Sequence, residues 1–155
     1  MGLHRDATLS DVIFVANNMR VEDIEECTAG GLTPLDALTL SYYERILAYT
    51  LLTPEGTPAA ILGINASPIS DQFGIIWMLG TDAIKQHRFT FLRNCKPYLQ
   101  SVYELTGKEC FYNYTYHKND LHHAWLKWLG FTFIRRVSLP PHEETFYEFV
   151  KLKES

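Results

Sequence analysis

Apolar positions along this chain recur with two periods, and the switches between them lay out a layered α/β domain. LHRDATL (residues 3–9) reads as a first strand, after which Ser10-Asp11 cap a helix carrying Val12, Ile13, Val15 and Ala16. In VEDIEECTAG, Val21, Ile24 and Cys27 step at helical spacing toward a stop at Gly30. Thr33-Pro34 then forms an N-cap with proline at the first helical position, opening PLDALTLSYYERI. Three strand-like runs follow: ILAYTLL and AAILGINA, joined by the PEGTP turn, and FGIIWMLGT. The run Gly74–Gly80 is apolar throughout, as a central strand covered on both faces should be. A long helix is predicted from Ala83 to Leu105, stopping at Gly107, with Phe89, Leu92, Cys95, Leu99, Val102 and Tyr103 inward. Pro97 should kink or split it. ECFYNYTYH alternates as a strand, NDLHHAWLKWLGF holds a helix, and FTFIRRVSL and TFYEFVKL close the chain as strands. The order β-α-α-α-β-β-β-α-β-α-β-β, a meander followed by βαβ, implies an α/β (α+β) fold whose mixed sheet carries helices on both faces.

The length of 155 residues, with no repeat or linker, makes residues 1–155 one domain able to bury a core without staples. A net charge of -4, with only KQHR and Arg135-Arg136 as basic patches, argues against nucleic acid as a partner. No apolar run is long enough to span a bilayer, and MGLHRDATLS lacks a signal-peptide core, so a cytoplasmic protein is expected. Cys27, Cys95 and Cys110 are scattered and form neither CxxC nor zinc spacing, which fits buried thiols.

NDLHHAWLKWLGF (residues 119–131) is the densest chemical stretch. His122 and His123 are consecutive and diverge by about 100° on a helix, so they cannot hold one ion together. No carboxylate arrangement completes a metal set, and none is expected. No nucleophile elbow of the GxSxG type occurs. Leu121, Trp125, Trp128 and Leu129 form one apolar face, so at least one indole packs in the core. Two indoles on so short a helix exceed what a small sheet covers, which makes Trp125 and Trp128 the candidate partner surface.

The element order, the apolar central strand followed by a long helix, and Asn119 followed by Gly130-Phe131 resemble the GNAT acyltransferase fold. RDATLSDV through NMRVEDIEE is similar to its opening strand and helices. The resemblance implies a mostly antiparallel central sheet of six to seven strands. More narrowly, NMRVEDIEE, WMLGTD, FLR and WLKWLGF resemble the GNAT-like internal virion proteins (internal virion protein A and relatives) of short-tailed podophages, over nearly the whole chain. That family implies a phage protein located in the host cytoplasm or the virion, with a virion or host protein as its partner.

An active GNAT enzyme pairs its central strand with pantetheine, cradles pyrophosphate in a glycine-rich loop, and supplies an acid and a base. The resemblance places Met78, Leu79 and Gly80 where acyl-CoA would pair, with Asn119 nearby. No glycine occurs from Asp82 to Thr106, leaving Lys85, His87 and Arg88 (with Arg93) as a substitute clamp. Cations at a helix N-terminus oppose its dipole, which favours a bound anion there. Leu126 stands where the family's tyrosine acid belongs and cannot donate a proton. Tyr112, Tyr114, Tyr116 and His117 are the substitutes, and Glu44, Glu55 or Asp71 the bases, with Tyr116, His117 and Glu44 foremost. Three functions follow: a GNAT-fold protein with a degenerate acyl-CoA site acting through protein contacts in virion morphogenesis or early infection; an acetyl-CoA-dependent N-acetyltransferase acting on a host protein or small amine; or an inhibitor of a host enzyme. The cofactor is accordingly none, or acetyl-CoA if the chain is an enzyme.

Overall fold

The computed structural model describes residues 3–154. Thirteen elements follow one another: β1 (Leu3–Asp6), α1 (Leu9–Asn17), α2 (Val21–Ala29), α3 (Pro34–Tyr43), β2 (Arg45–Leu52), β3 (Pro58–Ala66), β4 (Phe73–Gly80), α4 (Ala83–Gln86), α5 (Arg88–Thr106), β5 (Cys110–Tyr116), α6 (Asp120–Trp128), β6 (Thr132–Leu139) and β7 (Glu144–Leu152). They build one seven-stranded sheet in the order β1-β2-β3-β4-β5-β7-β6. Every neighbouring pair is antiparallel except β4 and β5. The expected mixed, mostly antiparallel sheet with helices on both faces is what the chain forms.

The side chains of β4 divide between two helical layers, as strand alternation requires. Trp77 and Leu79 pack with Val12 and Val15 of α1, Cys27 of α2 and Leu38 of α3. Ile76 turns to the other face, beside Leu99, Val102 and Tyr103 of α5 and Leu126 of α6. Gly63 faces Trp77 across the β3–β4 ladder, and a Cβ there would lie 2.2 Å from the indole. The absent side chain is what lets Trp77 lie flat on β3, with its Nε1–H donated to Asn65 Oδ1 at 2.9 Å.

Three local expectations are corrected. First, α1 is capped by Thr8 rather than by Ser10-Asp11. The Thr8 hydroxyl accepts from the Asp11 N–H and the Asp11 carboxylate accepts from the Thr8 N–H, a reciprocal capping box that ends β1 at Asp6. Second, the long helix breaks at His87 and not at Pro97, which sits inside continuous α5. His87 closes the first ladder through its N–H to Ala83 O and opens the second by accepting from the Phe91 N–H. Third, the break turns Phe91 inward in place of Phe89, which is 69% exposed.

β4 and β5 pair in parallel only from Phe73–Ile75 to Cys110–Tyr112. Beyond that point they diverge, and the sheet splays open toward Gly80 and Tyr116.

Candidate functional site

The splay is filled by side chains from α2 and from the loop before α6. Thr81 donates its N–H to Ala59 O of β3 at 2.8 Å, so strand alternation turns the peptide groups of Gly80, Met78 and Ile76 toward the splay. Two of those three residues already have partners within the chain. The Gly80 N–H donates to Asp23 Oδ2 at 2.9 Å, and Gly80 O accepts the Arg20 N–H at 2.8 Å. Ile76 O accepts from Asn113 Nδ2 at 2.7 Å.

Behind this edge lies a buried polar cluster. Arg20 Nη2 donates to Asp23 Oδ1 at 2.7 Å and to Asn119 Oδ1 at 2.9 Å, while Asn119 Nδ2 donates to Asp23 Oδ1 at 3.0 Å. Arg20, Asp23 and Asn119 are all buried. An ion pair this deep depends on hydrogen bonds to its remaining atoms. Asn119 and Gly80 supply them to Arg20 Nη2 and the Asp23 carboxylate, while buried Arg20 Nη1 has no hydrogen-bond partner among the described residues and lies 3.8 Å from Glu22 Oε1. One turn further along α2, Glu26 Oε1 accepts the Tyr116 N–H at 2.7 Å and the Thr115 hydroxyl at 3.1 Å. His122 Nδ1 lies 3.1 Å from that hydroxyl and 3.9 Å from Glu26 Oε1. Burial pushes the Glu26 carboxyl up, but the His122 ring, the Tyr116 N–H and the Thr115 hydroxyl outweigh it and hold the group below the usual carboxylate range. A cavity of about 260 Å³ opens beside Glu26, walled by Cys27, Trp77, Tyr114 and His122.

The sequence candidates are distributed unevenly around this site. Met78, Leu79 and Gly80 lie on β4 as expected, and Asn119 lies in the splay, where its amide is engaged by Arg20 and Asp23. Lys85 and Arg88 are exposed, and neither forms an ion pair among the described residues. His87 is half-buried at the α4–α5 joint. Ile84 covers the approach to the strand end, its Cδ1 2.1 Å from where a Cβ on Gly80 would stand. Tyr116 points away from the splay: its hydroxyl donates to Glu144 Oε2 at 3.2 Å, in a cluster with Ala29 and Phe146. His117 stacks edge-on against Tyr116 at the end of β5. Glu44 caps α3 and is exposed. β2 begins next to it at Arg45, which pairs with Asn65 and through it with Ile75, five residues before Gly80, so Glu44 sits at the wrong end of the sheet. Glu55 and Asp71 are exposed as well. Leu126 is core. Trp125 is 3% exposed and cannot belong to a partner surface, whereas Trp128 is 50% exposed. Among the described residues no group of three or more His, Cys, Asp or Glu could hold a metal ion, and no helix is long and apolar enough to cross a membrane.

Arg20, Asp23, Glu26 and His122 were not among the sequence candidates. Asp23 and Glu26 stand three apart on α2 and share a side with Cys27, a spacing that VEDIEEC displays but that its acidity disguises as a solvated face.

The fold with its splayed β4–β5 pair is that of the GNAT acetyltransferases. The chain matches a GNAT-family acetyltransferase from Bacillus anthracis with a TM-score of 0.74 at 10% identity, covering 99% of this chain and 96% of that one. It matches the ribosomal-protein-S18-alanine N-acetyltransferase of Escherichia coli with a TM-score of 0.69 at 15% identity, over 100% and 96%. A spermidine N-acetyltransferase from Vibrio cholerae, solved with CoA and spermine, gives 0.68 at 10% identity, over 98% and 95%. No family model matches the chain, and no curated protein does. Likeness at these identities establishes the fold and leaves activity to be argued from the site.

Proposed function

We propose that this GNAT-fold chain has an acyl-CoA groove closed by its own side chains and acts through protein contacts. The observation that carries this reading is the double engagement of Gly80, whose N–H is held by Asp23 and whose carbonyl is held by the Arg20 N–H. A pantetheine arm would have to displace a buried ion pair to reach that end of the strand. Exposed Lys85 in α4 and Arg88 at the start of α5, in a segment without glycine, offer charge but no glycine-lined backbone cradle for pyrophosphate. The sequence resemblance to podophage internal virion proteins supplies the setting, particle morphogenesis or early infection of the host cell. Half-exposed Trp128, with Lys96 Nζ 4.3 Å above its ring, is the contact residue we favour.

A second reading, an acetyl-CoA-dependent N-acetyltransferase, is favoured by one observation: Glu26 and His122 together line the 260 Å³ cavity beside the splay. Glu26, held ionised, would then be the base for the amine. Thermal unfolding with millimolar acetyl-CoA separates the two. A bound ligand adds about 2.7 kcal/mol at a hundredfold excess over Kd. We expect no stabilisation. A rise in Tm that Lys85→Ala/Arg88→Ala abolishes would overturn the closed-groove reading in favour of the enzyme. Mass spectrometry of purified phage particles tests the virion assignment, and absence of the chain there would direct attention to a partner in the host, including an inhibited enzyme.

A further inference from the structure

The core between the sheet and helices α5 and α6 is divided. One cluster centres on Leu99, Val102, Tyr103 and Phe111, the other on Leu51, Ile84, Phe91 and Trp125. Between them lies a cavity of about 320 Å³, roughly ten times the share of liquid volume held by one water molecule. Its floor is Leu62, Ile76 and Met78 of the sheet, and its roof is Phe91, Cys95 and Tyr98 of α5. Apart from Ile76 and Met78, none of the residues that fill or edge the splay lines it, and it extends under α5 toward His4 on β1, away from β5. The rim is polar, with His4, Asn94 and Ser101.

Two side chains in its wall make the cavity more than a packing defect. The Tyr98 hydroxyl and Trp125 Nε1 are buried without a hydrogen-bond partner among the described residues, and both residues line this cavity. A buried donor left unpaired is costly, and native structures rarely tolerate it without a reason. The other two indoles are satisfied, Trp77 by Asn65 Oδ1 and Trp128 by Leu92 O. Tyr98 is moreover held firmly protonated, because burial pushes its phenol well above the ordinary value, so it too presents an O–H.

The lining also bounds the ligand's chemistry. It contains no lysine, arginine or carboxylate, and its only basic group is exposed His4 at the rim. A full charge inside would be unpaired. We propose that this cavity is a binding site for a neutral, apolar small molecule of about ten heavy atoms carrying one acceptor oxygen, such as a medium-chain ester. Its alkyl part fills the space over Leu62 and Ile76 while its carbonyl accepts from Tyr98 and Trp125. The site is independent of the acyl-CoA question and stands whichever reading of the splay holds.

The test uses methyl octanoate as probe and the indole signals of ¹⁵N-labelled full-length protein as readout. Saturable binding is expected to shift the Trp125 indole N–H signal while those of Trp77 and Trp128 stay in place. Tyr98→Phe removes a hydroxyl that has no partner among the described residues, so the variant should fold normally, and it should weaken methyl octanoate binding about tenfold, the size of one neutral hydrogen bond. Nonane, with no acceptor, should not distinguish the two proteins. No saturable binding up to the solubility of the ester, an unmoved Trp125 signal, or equal affinity in Tyr98→Phe would each overturn the proposal.

Discussion

Asp23 of α2 accepts the N–H of Gly80 at 2.9 Å, tying the last residue of β4 to a helix instead of to a neighbouring strand. The same carboxylate faces Arg20 Nη2 at 2.7 Å. Replacing Asp23 by Ala therefore leaves a buried guanidinium without its counter-charge and a strand-end N–H without its acceptor. Loss of one partner of a buried pair costs about 3–5 kcal/mol, and we expect Asp23→Ala to fall in that range by urea titration. The double change Arg20→Met/Asp23→Leu should recover a large part of the loss, because no orphaned charge remains. Equal destabilisation in the single and double variants would show that the pair is not what the splay depends on.

Gly63 and Trp77 make a second sharp prediction. A methyl at Gly63 would stand 2.2 Å from the indole, and both residues lie in strands on a packed face. Overpacking of this kind costs about 1–3 kcal/mol. Gly63→Ala should lower stability by that amount and shift the near-ultraviolet dichroism of Trp77, whereas Gly56→Ala, in open space but at φ +88°, should leave that spectrum unchanged.

Strand and helix periodicity carried most of this fold, because a sheet covered on both faces writes its alternation and apolar runs directly into the chain. The places it misled are those where one interaction overrode a local rule. Pro97 is a strong breaker, yet α5 runs through it, and the break falls at His87, where no residue type announces it. The cap at Thr8 depended on a reciprocal pair with Asp11, which a search for the first polar residue before the apolar run passes over. The candidate site was less legible than the fold. Asn119 and β4 were visible through resemblance, but Asp23 and Glu26 became partners of residues 90 and more positions away only through the splay. Long-range pairing of this kind leaves no periodic trace.

Stability should also depend on pH with a defined sign. His123 is pushed below the ordinary histidine value, chiefly by burial; its Nε2–H donates to Tyr116 O at 2.9 Å, and its ring packs edge-on against Phe133. Below about pH 6.5 the unfolded chain takes up this proton more readily than the folded one. The contribution of His123 is thus complete above that pH and is lost as pH falls through its lowered value. Glu26, also lowered, adds a second loss of the same sign further into acid, starting below about pH 4.3. Urea titrations at pH 7.5 and 5.5 should show the protein less stable at the lower pH, and His123→Gln should shrink that difference. An unchanged difference in the variant would assign the effect to another group.

The two tryptophans of α6 should behave oppositely. Trp125 is 3% exposed between Phe91 and the sheet, and Trp128 is 50% exposed. Trp125→Ala removes a large buried side chain, a change worth about 3–5 kcal/mol in a well-packed core. Because Trp125 already borders the 320 Å³ cavity, some of its contacts are missing from the start, and the lower end of that range is expected. Trp128→Ala loses the Lys96 cation–π contact and a 3.3 Å hydrogen bond to Leu92 O, both at the surface, for about 1 kcal/mol. Iodide quenching in the native state should likewise reach Trp128 and spare Trp125. If Trp128→Ala proved as destabilising as Trp125→Ala, the exposed indole would be structural, and its use as a contact residue would lose its basis.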